Sequence, residues 1–384
     1  MKYNVRTFED ADFSGKVVYD RVDLNISKSD DVYDDTKIKV IVDDCKRILE
    51  DGGKLVLVSH IGRDPNDSLR FLVKDLSRYL ERDVKFVNDC IGPKVHRTVK
   101  EMKPGDVVLL ENVRMYPEEK SNNELFSNAL IENMDFGVFD AFPVSHRKHA
   151  SVVGVMKRKP FYAGPRFLYE MEQLEKFREK REDTVCVLGG IKKEKLLAIE
   201  MFLQNGYKVI PGGMPLNVIY KTLGKDVGDS LIGEGEEYIN EVKKIITDKN
   251  LIIPDRVRIA KKDDFTDTKM IDIDEGVPSG YQIIGFELPE IAHEYLGSAN
   301  RIMIAGPTDI YEKGFYDSMK EIASYLESTE SVIMGANTIE AYKKFNLKNP
   351  VLITGGGAGL YFLKNGTNPA LGSLEDNMKK FKNK

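Results

Sequence analysis

Short apolar runs alternate along the chain with longer stretches in which apolar residues recur at helical spacing. In the first half the short runs are Val17–Tyr19, Leu55–Val58, Val84–Val87, Val107–Leu110 and Phe136–Phe139. Runs of this length, bounded by polar and glycine positions, predict strands buried on both faces. Between them Ile38, Ile41, Val42, Cys45, Ile48 and Leu49 form one apolar stripe that stops at Gly52-Gly53. A second stripe, Leu69, Leu72, Val73, Leu76, Tyr79 and Leu80, opens at Asp67-Ser68, residues suited to accept from the free amides of a first turn. The second half repeats the pattern. Strands are predicted at Val185–Leu188, Lys208–Ile210, Leu251–Ile253, Ile302–Ala305, Val332–Met334 and Val351–Ile353. Helices are predicted at Leu196–Gln204, Tyr238–Ile246, Phe315–Leu326 and Thr338–Phe345. Such alternation implies βαβ units and mostly parallel sheets.

Between the halves, Phe167, Leu168, Met171, Leu174 and Phe177 follow Ala163-Gly164-Pro165 at helical spacing. A chain of 384 residues exceeds what one core usually supports. The expected fold is therefore α/β, with two doubly wound parallel-sheet (Rossmann-like) domains joined by a hinge helix. The expected boundaries are 1–165, 166–180 for the helix, and 181–369. The tail 370–384 ends in a lysine-rich stretch that reads as a solvated end.

Composition narrows the function classes. Lys and Arg number 57 against 62 Asp and Glu, for a net charge of −5, so the basic footprint of a nucleic-acid binder is missing. No run approaches the roughly 18 apolar residues of a membrane span. The three cysteines, Cys45, Cys90 and Cys186, are far apart and form no CxxC pair, which argues against a disulfide framework and for a reducing, cytoplasmic setting. The N-terminus lacks the apolar core of a secretory signal.

In parallel sheets ligands bind beyond the carboxyl ends of the strands. In the first half cations recur there: Arg21-Val22-Asp23-Leu24-Asn25, Ser59-His60-Ile61-Gly62-Arg63, Glu111-Asn112-Val113-Arg114, and the segment from Asp140 to His146-Arg147. An acidic protein that gathers guanidinium groups at one sheet edge is suited to a small, multiply charged anion. The second half places glycines instead: Gly189-Gly190, Gly212-Gly213, Gly306-Pro307, Gly335 and Gly355-Gly356-Gly357, with Lys192 and Lys195 after the first pair. Glycine lets backbone amides approach phosphate. No GxxxxGK[ST] element occurs. The two sets together suggest a two-domain phosphotransferase with a nucleotide on one side and an anionic acceptor on the other.

These motifs, in this order and spacing, resemble the phosphoglycerate kinase family over nearly the whole length. The resemblance rests on Arg21–Asn25, Asp34-Asp35-Thr36, Ser59–Arg63, Asn88–Gly92, Lys103–Arg114, Asp140-Ala141-Phe142 and Ser145–Ser151. It continues through Leu188-Gly189-Gly190, Gly212-Gly213-Met214, Gly306-Pro307 and Thr354–Ala358. It implies transfer between 1,3-bisphosphoglycerate and ADP, giving 3-phosphoglycerate and ATP, by a cytoplasmic monomer with magnesium held mainly by the nucleotide phosphates. Asp23 and Asn25 are then expected at the substrate's hydroxyl and carboxylate, and His60, Arg63, Arg114 and Arg147 around its phosphate. Lys37 and Lys192, with the amides of Gly356 and Gly357, are expected at the transferring group. Gly189, Gly190, Lys195, Gly212, Gly213, Glu312, Asn337 and Thr338 are expected around the nucleotide, Glu312 at the ribose. The tail is expected to pack back on the first domain. No nucleic acid or membrane partner is implied.

Departures fall at reacting positions. Lys37 stands where the family has arginine, losing a bidentate fork. Asn337 replaces an aspartate near magnesium, so no protein ligand for the metal is assigned. The second lysine of the 189–195 loop is offset, leaving Lys195 to serve. Pro211, Ala305 and Ile353 also differ from the family pattern. A second reading therefore stands beside the enzyme: a relative with the fold and anion site but without catalysis, or with an altered substrate.

Overall fold

The computed structural model of the chain describes residues 3–26, 33–178, 183–233 and 236–382. Two compact units are present, one comprising Met1–Glu172 and Asn365–Lys384, the other Gln173–Lys364.

The strands of the first unit are β1 Val17–Arg21, β2 Lys54–Val58, β3 Val84–Val87, β4 Val107–Leu110, β5 Phe136–Phe139 and β6 Phe161–Ala163. They form one parallel sheet in the order β3-β4-β2-β1-β5-β6. Around it lie α1 Thr36–Lys39, α2 Val42–Glu50, α3 Val73–Leu80, α4 Pro93–Lys100, α5 Pro117–Lys120 and α6 Glu124–Ile131, followed by α7 Pro165–Glu175. Chain direction through the sheet reverses at β1, which is where an open parallel sheet offers a crevice. The central strands are buried on both faces, as their continuous apolar runs require.

The stripe from Ile38 to Leu49 does not make one helix. It breaks between α1 and α2 at Val40-Ile41, where with Val42 three consecutive β-branched residues crowd the preceding turn. Ile38, Ile41, Cys45, Ile48 and Leu49 are nevertheless all buried, so the break leaves the apolar face intact. The stripe from Leu69 starts as a tight 3-10 turn, Leu69–Leu72, with Ser68 Oγ accepting from the Arg70 amide, and continues as α3.

The second unit holds β7 Thr184–Leu188, β8 Lys208–Pro211, β9 Arg256–Lys261, β10 Lys269–Asp272, β11 Tyr281–Phe286, β12 Arg301–Ala305, β13 Glu330–Met334 and β14 Val351–Ile353. Its parallel sheet has the order β14-β13-β12-β7-β8, and β10-β9-β11 make a separate antiparallel sheet. The helices are α8 Lys193–Gln204, α9 Gly213–Thr222, α10 Glu236–Lys243, α11 Glu290–Ser298, α12 Asp317–Leu326, α13 Ala336–Tyr342 and α14 Gly356–Asn365.

The antiparallel sheet was not expected from the sequence. β9 reads Arg-Val-Arg-Ile-Ala-Lys, an alternation that buries Val257 and Ile259 and leaves Arg256 and Lys261 in water, so it carries no continuous apolar run. Conversely, Leu251–Ile253 is not a strand; Leu251 makes only an isolated bridge to Val209. The tail is α15 Pro369–Lys380 rather than a loose end. Its Ala370, Leu371 and Leu374 are buried. Asn377 accepts from the Phe161 amide at 2.8 Å and donates to the Met156 and Lys159 carbonyls, tying α15 to the first unit. Among the described residues no helix is long and apolar enough to cross a membrane.

Candidate functional site

In the first unit, the loops after β1, β2, β4 and β5 leave the same edge of the sheet. Past β1, the Asn25 amide donates to Asp23 Oδ1 at 3.2 Å, and the Asn25 side chain accepts from the Gly62 amide at 2.9 Å. Lys37, on α1, reaches both residues, with its Nζ 2.7 Å from Asp23 Oδ2 and 2.9 Å from the Asn25 carbonyl. The sequence placed Lys37 at the transferring group; the structure has it paired with Asp23.

Gly62 has a φ of +61°, and a Cβ there would stand 1.7 Å from Asp67 Oδ2, so any other residue would be strained and would displace the Asp67 carboxylate. Buried Asn112, after β4, holds this loop. It accepts from the Ile61 amide at 3.1 Å and donates to the Ile61 and Asp67 carbonyls at 3.0 and 2.8 Å. Arg114 follows at once and donates to the Gly62 carbonyl.

His60 and Arg21 are 3% and 1% exposed. The Arg21 guanidinium lies 3.2 Å from His60 Nδ1. A guanidinium only donates, which makes Nδ1 the acceptor and leaves the proton on Nε2. Burial holds His60 well below its usual range, and Arg21, Arg114, Lys37 and Arg147 add to the effect. The ring is thus a neutral donor surrounded by cations. Arg114 is itself pushed down to about 10 by burial and by Arg147 and Arg21. Arg147 is lowered by burial and by Arg63. Mutual repulsion among groups that a sheet edge forces together is what an anion would relieve.

Arg21 anchors this cluster, and nothing in the sequence singles it out beyond its place in the Arg21–Asn25 motif. Its Nε donates to Ser151 Oγ at 3.0 Å, and Ser151 donates through Oγ and its amide to Glu119 at 2.6 and 2.8 Å. Burial pushes the Glu119 carboxyl up, but His149, Arg21 and Ser151 outweigh it and leave the group below its usual value. Glu119 and Asn112 also escaped sequence reasoning, because a buried polar residue in a loop looks like any other until its partners are known.

In the second unit, β7, β8, β12, β13 and β14 end at one edge, and glycines follow. A Cβ on Gly189 would meet the Pro307 carbonyl at 2.2 Å, and one on Gly306 the Gly189 carbonyl at 2.0 Å. Gly212 and Gly213 crowd Thr308 and Gly190 in the same way. The Gly306 amide donates to Thr338 Oγ1 at 2.9 Å. Gly356 and Gly357 open α14, and a Cβ on Gly356 would stand 3.1 Å from Gly335 Cα and 3.7 Å from Lys195 Nζ. Lys195 is only 8% exposed, and burial followed by the charge of Lys192 pushes it down to about 8. Hence Lys192, Lys195, Gly335 and the start of α14 converge. Glu312 lies in the 3-10 turn Tyr311–Lys313 after β12, and Asn337 in the first turn of α13 after β13, both with exposed side chains. Among the described residues no group of three or more His, Cys, Asp and Glu side chains is arranged to hold a metal.

Comparison with known proteins gives a consistent result. A family model described as phosphoglycerate kinase matches residues 8–366. The phosphoglycerate kinase of Dictyoglomus turgidum is 34% identical over 98% of this chain and 99% of its own. The chloroplastic phosphoglycerate kinase of Volvox carteri is 33% identical over 98% of this chain and 87% of its own. The crystal structure of phosphoglycerate kinase from Pyrococcus horikoshii superposes with a TM-score of 0.85 at 26% identity, covering 98% of this chain and 100% of that one. A cationic sheet edge in one unit, a glycine-lined edge in the other and these likenesses together place the chain in the phosphoglycerate kinase family.

Proposed function

We propose that this chain performs the phosphoglycerate kinase reaction, with the acceptor held by the cationic edge of the first unit and the nucleotide by the glycine-lined edge of the second. The reaction is phosphoryl transfer between 1,3-bisphosphoglycerate and ADP, giving 3-phosphoglycerate and ATP. What supports the assignment of residues is that Arg114 and Arg147 crowd the neutral, donating imidazole of His60, with Arg63 acting in turn on Arg147. Arg63, Arg114 and Arg147 bind the non-transferring phosphate, and His60 offers it the Nε2 proton. Asp23 and Asn25 orient the hydroxyl and carboxyl of the glycerate. Lys37 moves from Asp23 toward the acyl phosphate when substrate arrives, since an incoming dianion competes for it.

On the nucleotide side, Gly189, Gly190, Gly212 and Gly213 leave room for the adenosine, and Glu312 accepts from the ribose hydroxyls. Lys192, Lys195 and the amides of Gly356 and Gly357 neutralise the phosphates as charge moves between the oxygens. Thr338 fixes the Gly306 turn. Magnesium, carried by the nucleotide phosphates, would neutralise their charge; Asn337 offers it a carbonyl oxygen rather than a carboxylate. α7 begins in one unit and ends in the other, and we assign it the bending that brings the two ligands together. Three free, buried cysteines support a reducing, cytoplasmic setting.

Calorimetric titration with 3-phosphoglycerate tests the acceptor site. Arg114→Ala and Arg147→Ala should each weaken binding about 10- to 100-fold, the worth of a charge-assisted contact of about 1.5–3 kcal/mol. Affinity unchanged in both variants would remove the assignment. Normal binding of both ligands without turnover would instead establish the non-catalytic reading, for which the capture of Lys37 by Asp23 is the motive.

A further inference from the structure

α1 is a single turn, too short to hold its own conformation, yet it carries Lys37. What fixes it is α3. Ile38 is buried in the same apolar cluster as Leu76 and Leu80 of α3, but one buried side chain seats a turn without setting its rotation. The rotation is set by a reciprocal pair of hydrogen bonds. Tyr33, ahead of α1, donates through its hydroxyl to Asp75 Oδ2 on α3. Tyr79, on α3, donates to Asp35 Oδ2 at the head of α1. Each carboxylate has a cation on its other oxygen: Lys39 Nζ lies 2.8 Å from Asp35 Oδ1, and Arg78 lies 2.8 Å from Asp75 Oδ1. The Arg78 guanidinium stands 4.2 Å from the centroid of the Tyr79 ring and 3.9 Å from Asp35 Oδ2, so it bridges the two halves. Tyr33 packs edge-on against Phe71, in the turn ahead of α3, with 5.1 Å between ring centroids.

Asp35 joins the two helices. It stands at the N-cap of α1, but its side chain caps nothing; Asp34 accepts from the Thr36 amide instead, at 3.0 Å. The Asp35 carbonyl accepts from the Ile38 and Lys39 amides at 2.9 and 3.1 Å. One residue thus grips α1 by its backbone and α3 by its side chain. Two positions on, Lys37 sends its ammonium to Asp23 and to the Asn25 carbonyl. The two tyrosines and two aspartates are half-buried, and a hydrogen bond to a charged acceptor there outweighs an exposed ion pair. Asp35 is held below its usual range by Lys39 and Tyr79, and Asp75 by Tyr33 and Arg78, so both are ionised at neutral pH. An arginine can find a phosphoryl group with its planar fork. A lysine is a point charge on a four-carbon stem, and where it ends depends on where its backbone is held.

We propose that Tyr79, with Tyr33 as its counterpart, is a positioning residue: the clasp between α1 and α3 sets the reach of Lys37. The consequence for turnover rests on the reading of Lys37 as the group that meets the transferring phosphoryl; the placement of its ammonium does not.

Tyr79→Phe removes one hydroxyl and keeps the ring under Arg78. Steady-state kinetics with 3-phosphoglycerate, ATP and magnesium should show kcat lowered about tenfold and KM for ATP unchanged, since the nucleotide edge belongs to the other unit. Lys37→Met should itself be impaired, and in that background Tyr79→Phe should cost less than about twofold, because a residue that acts through Lys37 has nothing left to act on. A merely structural role would cost the same factor in both backgrounds, and that result would overturn the proposal. NMR of the free protein with 15N-labelled lysine side chains gives a readout that needs no turnover. The Lys37 ammonium signal should move in Tyr79→Phe, and in Tyr33→Phe, which serves if the first variant does not fold. An unmoved signal in the folded variants would overturn the proposal whatever the kinetics. A moved signal with full turnover in Lys37→Met would uphold the placement and remove Lys37 from the transfer step instead.

Discussion

At the scale of single residues, the proposed acceptor site depends on cations forced close and on one buried arginine that orders them. Arg21→Met should destabilise the first unit by about 3–5 kcal/mol, because it strips the charge partner from buried Glu119 and the donors from Ser151 and His60. The His60 ring should then titrate higher, since Arg21 is the foremost of the charges that depress it. Urea unfolding and NMR of the ring protons measure the two effects separately. Lys37→Arg keeps the contact with Asp23 and adds a second donor for a phosphoryl oxygen. Turnover should rise, by up to about tenfold, if the missing fork limits transfer. Steady-state kinetics with saturating substrates would show it, and unchanged or lower turnover would mean that the neighbours have adapted to lysine. His60, Arg63, Arg114 and Arg147 were legible in the sequence because each follows a strand end. Arg21, Asn112 and Glu119 were not, since their roles lie in partners more than thirty positions away.

Among the elements, every strand of the two parallel sheets except the edge strand β6 was expected from the sequence, most of them because burial on both faces demands an unbroken apolar run. β9, β10 and β11 were hidden because a one-faced sheet alternates, and its apolar positions are too few to stand out. The tail was expected to pack back on the first unit, but its lysines hid that it does so as a helix, α15, fastened by Asn377 and the buried Ala370, Leu371 and Leu374. Asn377→Ala should remove about 2–3 kcal/mol by leaving the Phe161 amide and two carbonyls without their partner. Limited proteolysis should then cut the chain ahead of Pro369. The approach of α8 to α14 gives a further test. Lys195 loses its proton as pH rises through about 8, so affinity for ATP should fall above that pH by up to about tenfold. Lys195→Arg, which stays charged, should give a flat profile by calorimetry.

For the whole molecule, division of labour is the claim that matters. The unit made of Met1–Glu172 and Asn365–Lys384 gathers arginine, and the unit made of Gln173–Lys364 gathers glycine with two lysines. The sequence already showed this contrast, because it depends only on which residue type follows each strand. It also predicted a joining helix at 166–180, and the division between the units, after Glu172, falls inside α7. Each half should bind its ligand without the other: Arg147→Ala should leave affinity for ATP unchanged, and Lys195→Ala should leave that for 3-phosphoglycerate unchanged. Only turnover needs both. A coupled assay of the purified chain with 3-phosphoglycerate, ATP and magnesium is therefore the most direct measurement. Robust turnover, cut at least about 100-fold in both Arg147→Ala and Lys192→Ala, is the expected result. Turnover no greater than that of either variant would contradict it.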